Sequence, residues 1–314
     1  MDLSKMREKK WLLIFLPIIV LLVYSEIFNL NIVLALEKIN PSAILSFLGG
    51  YFAQIIIVSF RDKKIVDTDL KTAFKARFLG YAVGLIVPGW AGQELTRSIV
   101  YNRNGKALVE GFSLSVTEAS FDVIAGCILF ITLLPIRFYI IDVIYILVAL
   151  GNIVGWSTGI AYLYSTAGKT VKIEVNLLKL LRMDKYYYIL EKTKKSIKVA
   201  LSISRALAYL GITILGYVIF SLGLFPLLPN VYLDLLVAMS YFVSTLIPIP
   251  GASGVSELAL AIFLPPSLVF DIVTLQLFAY SLGFSLIREI DLNELKKELD
   301  KIKRDGELHQ GPFS

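Results

Sequence analysis

Apolar stretches recur along the whole chain, with polar segments between them. A helix needs about 20 apolar residues to cross the hydrocarbon core of a bilayer. No polar segment is long enough to form a domain core, since even the longest, at about 165–200, is too short. The pattern therefore predicts an all-α, polytopic integral membrane protein with seven or eight helices. Spans are expected at roughly 11–30, 42–60, 119–136, 141–164, 203–225, 231–247 and 267–287.

Two shorter apolar pieces, at about 77–88 and 255–264, adjoin clusters of proline and glycine. Both clusters have Pro-Gly, two further residues, Gly and then an acid. The residues are Pro88, Gly89, Gly92 and Glu94 in the first cluster, and Pro250, Gly251, Gly254 and Glu257 in the second. Proline removes a helical hydrogen bond and glycine permits non-helical backbone, so each helix should break there. A broken helix in a bilayer must be buried in protein or face a water-filled cavity.

These breaks predict two re-entrant hairpins, at about 77–101 and 248–264, which enter from opposite faces and meet near the midplane. Matched broken helices in two halves of a chain indicate an inverted repeat. The half-helices after Gly92 and Gly254 would point their N-termini at the centre, where the helix dipole favours a phosphate. The alternative is that both clusters are packing kinks or turns outside the membrane.

The distribution of Lys and Arg predicts the orientation. These residues are frequent before the first span, in the loop after the second span and in the segment 165–200, whereas 31–41, 137–140 and 226–232 have few. Arg61 and Arg77 are assigned to the loop. By the positive-inside rule the basic segments and both termini are cytoplasmic, in a multi-pass protein of the plasma or inner membrane.

Two amphipathic stretches accompany the membrane domain. Residues 1–290 form a single transmembrane domain, and 291–314 form a charged cytoplasmic tail with helical spacing of its leucines. The stretch 176–198 has a similar pattern, and an interfacial anchor is the favoured interpretation of both, with a partner-binding site as the alternative. Arg205 is interpreted as a snorkelling anchor or as a contact to a lipid phosphate.

Charged residues near the first break are candidates for a site. Arg97 follows Glu94 by three residues, so both lie on one helical face. Glu118 and Asp122 are four residues apart at the start of the span 119–136 and could bind a cation, carry a proton or pair with Arg97. Glu110 could join their face. An interfacial ion pair that only fixes orientation is the alternative.

Composition excludes several kinds of chemistry. The chain is 56% apolar and carries a net charge of +6, which in a membrane protein indicates contact with anionic lipid rather than nucleic acid. One cysteine, Cys127, and one histidine, His309, predict no disulfide, zinc site or other cofactor. The phosphate-binding GKS/T loop and the GxSxG and HExxH motifs are absent from the sequence.

Three runs, GLIVPGWAGQELTR, GKALVEGFSLSVTEASFDVIAG and PIPGASGVSELAL, resemble the lysylphosphatidylglycerol synthase transmembrane-region family. The resemblance covers roughly 10–290 and departs from the family pattern at Gln93, Ala119 and Ala252. The family includes the flippase half of the bacterial multiple peptide resistance factor, so the resemblance implies movement of lipid between leaflets. It does not imply lysyl transfer, since a synthase domain is not part of this sequence. The matching positions are Pro88, Gly92, Glu94, Arg97, Glu118, Asp122, Pro250, Gly251, Gly254 and Glu257.

The resulting hypothesis is a translocase for an anionic phospholipid or a lipid-linked precursor, a transporter rather than an enzyme. Glu94, Arg97 and Glu257 would line the cavity, with Arg97 and the half-helix N-termini holding the phosphate. Glu118 and Asp122 would support Arg97 or relay a proton. A membrane-embedded transferase with a donor site in 165–200 is the runner-up, and a scaffold that recruits a separate synthase is a third possibility. Expected partners are anionic lipids, with a synthase or further copies of the chain as options.

Overall fold

The computed structural model describes residues 3–33, 37, 39–87, 90–134, 140–183 and 186–290. Every regular element within these ranges is helical. The predicted all-α, polytopic class is confirmed, and the tail 291–314 lies outside the described residues. Five helices are long and apolar enough to cross a membrane: Pro41–Val66, Leu108–Leu133, Val143–Ser165, Ile203–Leu222 and Pro266–Glu289.

The α-helices are numbered here in chain order. They are α1 (Leu3–Ile27), α2 (Pro41–Val66), α3 (Leu70–Gly84), α4 (Trp90–Arg103), α5 (Leu108–Leu133), α6 (Ile140–Ser165), α7 (Lys172–Leu180), α8 (Tyr187–Ala200), α9 (Ile203–Leu222), α10 (Val231–Ser244), α11 (Val255–Ala261) and α12 (Pro266–Ser281). Short 3₁₀ helices at Pro250–Ala252 and Leu282–Glu289 precede α11 and follow α12.

Two predicted boundaries are wrong in an informative way. α5 begins at Leu108 rather than at 119. The hydroxyl groups of its first half lower the hydropathy there, but they are accommodated within the helix by bonds to carbonyls of the preceding turn, as Ser115 donates to Gly111 at 2.8 Å. α2 continues to Val66, and α3 begins at Leu70. Arg61 and Arg77, assigned to a cytoplasmic loop, therefore lie within helices, and both are fully buried.

α3 and α4 form a helical hairpin, and Gly92 of the first Pro/Gly cluster lies at the start of its second helix. A Cβ placed on Gly84 would lie 2.7 Å from the Gln93 side chain, and one on Gly80 would lie 3.3 Å from Arg97, so the helices run antiparallel in close contact. Their 15 and 14 residues give lengths of roughly 22 Å, less than the ~30 Å hydrocarbon core. This hairpin is too short to cross a membrane and return.

The second cluster joins α10 to α11 through a sharp turn. Gly251 and Gly254 have φ of +58° and +82°, backbone angles that residues with a Cβ rarely adopt. A Cβ on Gly251 would also lie 2.7 Å from Pro17, midway along α1. α10 has 14 residues and α11 has seven. The span predicted at 231–247 is therefore the first arm of a second short hairpin, and α11 is its second arm.

The packing repeats itself in the two halves. A long helix, a short hairpin and another long helix occur in order as α2, α3/α4, α5 and again as α9, α10/α11, α12. α2 packs against α9, and each packs against the hairpin that follows it. α5 contacts α9 and α10, and α12 makes the corresponding contacts with α2 and α3. Such reciprocal packing is the arrangement expected of an inverted repeat.

The amphipathic segment 176–198 is divided between α7 and α8. The buried Lys194 of α8 joins the two helices. Lys194 Nζ lies 2.6 Å from Glu174 and 2.9 Å from Glu191. Although burial opposes the charge, hydrogen bonds to these carboxylates raise the pKa of Lys194 above its ordinary value. Ile173 and Leu180 are 70% and 79% exposed, which leaves an apolar face of α7 free to contact lipid.

A close crossing of α2 and α9 depends on small residues. A Cβ on Gly50 would lie 2.9 Å from the Phe220 carbonyl oxygen and 3.0 Å from the Gly223 Cα, both backbone atoms. The neighbouring Gly49 is exposed, and a Cβ placed there would have nothing within 4 Å. The backbones therefore approach directly at Gly50, as small residues allow in membrane helices.

The pair Gly50→Ala and Gly49→Ala tests this crossing. Alanine favours a helix over glycine by about 1 kcal/mol, so Gly49→Ala should leave thermal stability equal or slightly raised. Gly50→Ala should lower it, because forcing a methyl group into packed backbone costs about 1–3 kcal/mol. Thermal unfolding of both variants in one detergent measures the difference. Equal melting temperatures would show that α2 and α9 do not need this contact.

Candidate functional site

Seven ionisable side chains meet in the interior, where α2, α3, α4 and α5 come together. Each is at most 5% exposed. We call them the buried ionic cluster: Arg61, Asp62, Arg77, Glu94, Arg97, Glu118 and Asp122. Ionisable groups within membrane helices are rare, and they mark functional pathways when they are found.

Two arginines and two aspartates form a closed ring within this cluster. Arg61 lies 2.7 Å from Asp62 and 2.8 Å from Asp122. Arg77 lies 2.6 Å from the other Asp62 oxygen and 3.0 Å from the other Asp122 oxygen. Arg61 also donates to the Thr213 hydroxyl at 2.6 Å. The ring thus joins α2, α3 and α5 to α9, and each carboxylate oxygen accepts from a guanidinium.

Arg97 is held more loosely than the two arginines of the ring. Its Nη1 lies 3.4 Å from Glu118 and 3.8 Å from Asp122, and its Nε has no hydrogen-bond partner among the described residues. The Tyr101 hydroxyl donates to the second oxygen of Glu118 at 2.7 Å. The structure therefore brings Arg97, Glu118 and Asp122 together, and Arg97 is the guanidinium with the most capacity for another partner.

Glu94 lies one turn before Arg97 and is 1% exposed. Neither of its carboxylate oxygens has a hydrogen-bond partner in the described part of the chain. Leaving a buried polar group unpaired costs about 1–3 kcal/mol, and more when it is charged. A ligand that donates a hydrogen bond to this carboxylate would explain why it is buried without a partner.

Two small cavities with mixed polar and apolar walls lie between this cluster and the hairpin tips. The first, of about 50 Å³, is lined by Arg97, Asp122 and Gln54 among others. The second, of about 30 Å³, is lined by Gly84, Leu85 and Gln93 from the first hairpin and by Thr245, Ile249, Gly251 and Ala252 from the second. The two tips therefore face each other across one space. A single water needs about 10–15 Å³, so the space holds only a few waters.

The second hairpin differs from the sequence prediction. The Glu257 carboxylate accepts from the Gly254 N–H and from the Ser256 hydroxyl, both at 2.8 Å. It caps the N-terminus of α11, so the helix end that was expected to hold an anion already holds a carboxylate of its own chain. Neither Glu257 nor Glu94 lines the two small cavities.

The remaining predicted residues have separate positions. Gly92 lies at the start of α4, where a Cβ would lie 2.6 Å from Val87. Pro250 opens the 3₁₀ turn of the second hairpin. Glu110 does not join the cluster, because it is partly exposed and lies 3.9 Å from Lys106. Pro88 and Gly89 lie outside the described residues.

Sequence reasoning missed four side chains that matter here: Arg61, Asp62, Arg77 and Gln93. The first three were hidden among the lysines of a basic segment. One usable signal was Asp62, an acid directly after Arg61 and inside an otherwise basic run that continues a long apolar helix. Gln93 gave no signal beyond its place beside Glu94.

No protein-family model matches the chain, and comparisons with curated proteins and with solved structures also give no match.

Asp62→Asn tests whether the ring supports the fold. The substitution leaves Arg61 and Arg77 with one counter-charge fewer, and breaking a buried pair costs about 3–5 kcal/mol. Glu289→Gln is the control, because the Lys75–Glu289 pair is 28–29% exposed and such pairs contribute about 0–1 kcal/mol. Apparent melting temperature and yield of monodisperse protein should fall for Asp62→Asn only. Equal behaviour of the two variants would contradict a structural role for the ring.

Proposed function

We propose that the protein moves an anionic phospholipid or a lipid-linked precursor between the leaflets of the plasma or inner membrane. The observation that carries the proposal is a pair of adjoining small cavities, one bordered by Arg97 and Asp122 and the other by the tips of both hairpins. Polar and charged groups at such depth in membrane proteins mark the paths of substrates. Broken helices that meet at the centre are typical of transporters with inverted repeats.

The hairpins are proposed to enter from opposite leaflets. Lys75 near the start of α3 and Arg103 at the end of α4 both pair with Glu289, so this hairpin opens at the end of the molecule rich in Lys and Arg. The second tip touches Pro17 midway along α1, which supports a position deep in the membrane. The positive-inside rule then makes the Lys/Arg-rich end cytoplasmic.

Arg97 is the proposed contact for the phosphate. Its ion pairs of 3.4 and 3.8 Å are longer than the 2.6–3.0 Å pairs of the ring, so it can exchange a carboxylate for a phosphate oxygen at lower cost. Guanidinium–phosphate hydrogen bonds are charge-assisted and among the stronger polar contacts. Glu118 and Asp122 would hold Arg97 in place. Glu94 lines neither small cavity in the closed state, and once the tips separate its unpaired carboxylate, one helical turn from Arg97, would accept an N–H or O–H of the headgroup.

Translocation requires the tips to separate. A space of about 50 Å³ admits a few waters but not a phosphorylated headgroup, so the structure represents a closed state. Separation of Leu85 from Ile249 would widen the cavity at the tips, and separation of Gln93 from Thr245, which line both cavities, would join it to the cavity bordered by Arg97. The acyl chains would remain in the bilayer throughout.

Membership in the lysylphosphatidylglycerol synthase transmembrane-region family is part of the same proposal. It is supported by where the matching residues lie, with Arg97, Glu118 and Asp122 in the buried ionic cluster and Gly251 at a hairpin tip. The resemblance concerns movement of lipid, and it leaves the identity of the headgroup open to experiment.

Lipid movement in proteoliposomes tests the function. Fluorescent phosphatidylglycerol should cross faster with wild-type protein than without it, and Glu94→Gln should slow the crossing about tenfold or more if the carboxylate binds the headgroup. Glu94→Gln keeps the shape and removes no hydrogen bond within the described residues, so it should fold. Glu26→Gln, at an exposed position, is the matched control.

No movement of any lipid with folded wild-type protein would overturn the proposal. Full movement with Glu94→Gln would show that the Glu94 carboxylate does not bind the headgroup. Mass spectrometry of the recovered lipids separates translocation from group transfer. Unchanged lipids support a translocase, whereas a new lipid species formed from an added donor would favour the transferase.

Cross-linking the tips tests the proposed opening. Leu85 and Ile249 line the same small cavity, and Cys127 is buried, so Leu85→Cys/Ile249→Cys can be made in a Cys127→Ala background. A cleavable thiol cross-linker should stop lipid movement, and cleavage should restore it. The single Leu85→Cys variant, treated identically, is the control. Normal movement in protein with linked tips would show that the tips do not separate.

A further inference from the structure

A much larger cavity, of about 870 Å³, opens at the Lys/Arg-rich end of the molecule. It lies between the end of α2, the start of α5, α8 and the start of α9, away from the hairpin tips. We call it the basic cavity. Its volume is within the range of small-molecule sites. The basic side chains that line it are Lys63, Lys64, Lys106, Lys195 and Arg205.

The positive charge of the basic cavity is largely uncompensated. Two acids, Asp67 and Glu110, face five basic residues, so three positive charges remain in excess. Within the described part of the chain, both acids pair only with Lys106, at 3.8 and 3.9 Å. Lys64 and Lys195 form no ion pair among the described residues, and both are exposed. Cations gathered around one cavity without partners favour an anionic occupant.

One wall of the basic cavity is apolar and adjoins surface that faces lipid. Leu114, Val199 and Tyr209 line it, and Val199 is 78% exposed. Ile203 and Leu207, on the first turns of α9, are 82% and 66% exposed. A free phosphate gains nothing from such a surface, whereas a phosphate with attached acyl chains buries apolar area against it. The combination therefore favours a lipid over a soluble anion.

The floor of the basic cavity is close to the buried ionic cluster. Tyr209 lines the cavity, and its carbonyl accepts from the Thr213 hydroxyl at 2.8 Å. That hydroxyl in turn accepts from Arg61 at 2.6 Å. One helical turn of α9 thus separates an occupant of the cavity from the ring of arginines and aspartates.

We propose that the basic cavity is a binding site for the phosphorylated headgroup of an anionic lipid. Lys64, Lys195 and Arg205 surround the phosphate, and the acyl chains lie on Ile203 and Leu207. This site is separate from the two small cavities at the hairpin tips, which we call together the central space. The proposal concerns equilibrium binding of lipid to the basic cavity. It therefore stands whether or not the protein moves lipid.

Binding of lipid to the purified full-length chain in detergent tests the site, with native mass spectrometry as the readout. Phosphatidylglycerol should bind more tightly than phosphatidylcholine. Each lysine near an anionic headgroup changes affinity about fivefold, so Lys64→Gln/Lys195→Gln should weaken phosphatidylglycerol binding roughly 25-fold. The control, Lys172→Gln/Lys198→Gln, removes the same charge at exposed positions outside the cavity and should bind as wild type does.

Competition distinguishes the sources of phosphate. Glycerol 3-phosphate and inorganic phosphate should displace phosphatidylglycerol poorly, because they cannot use the apolar wall. If either displaces the lipid at matching concentrations, the site takes a soluble phosphate and the lipid assignment is wrong. If both double variants weaken phosphatidylglycerol binding equally, the effect comes from the overall charge of the protein and the proposed site is wrong.

Discussion

Compensation of buried charge is the constraint on which the structure depends. Arg61 and Arg77 have left water entirely, and an ion of this size loses several kcal/mol of solvation when buried, even after relaxation. The loss is tolerable because Asp62 and Asp122 offer four oxygens to two guanidiniums in one ring. Helices that supply these groups must keep their relative positions. A close contact of Gly216, where a Cβ would lie 2.7 Å from Val58, serves the same requirement, since it lies about one turn from both Thr213 and Arg61.

The parts of the fold that were predictable from sequence are those set by local rules. Apolar length gave the long helices, and the Pro/Gly clusters gave both hairpin turns, because proline and glycine act on the backbone where they stand. The cap formed by Glu257 was also local. An acid three residues after a helix start has the spacing of a capping box, so this role was within reach of sequence reasoning.

The parts that were not predictable depend on distant partners. Arg61 and Asp122 are 61 residues apart, and nothing in a basic run distinguishes an arginine that will be buried from a lysine that will stay in water. The positive-inside rule counts both alike. The early start of α5 was missed for a related reason, because its serines and threonines satisfy themselves against their own helix and so lower the hydropathy without ending the helix.

The basic cavity and the small cavities at the hairpin tips differ in size and charge. This is the difference that a site for lipid entry and a closed site of lipid passage would require. The basic cavity is wide, charged and next to lipid-facing surface, whereas the central space is nearly filled by side chains. Stacked tyrosines, Tyr81 and Tyr280, have ring centroids 5.1 Å apart and border the central space from both halves of the fold. Aromatic packing of this kind closes a passage without adding charge to it.

The hairpins are also unequal in how they are anchored. The first is fastened through Arg77 and Arg97 to the buried charges, whereas the acids of the second, Asp234 and Glu257, bond to no basic side chain among the described residues. Displacing the first hairpin would separate opposite charges in a medium of low dielectric. Displacing the second separates mainly apolar and neutral contacts. Moving the second hairpin should therefore cost less free energy than moving the first. Any gating motion would then be asymmetric, although the two halves of the fold repeat the same arrangement.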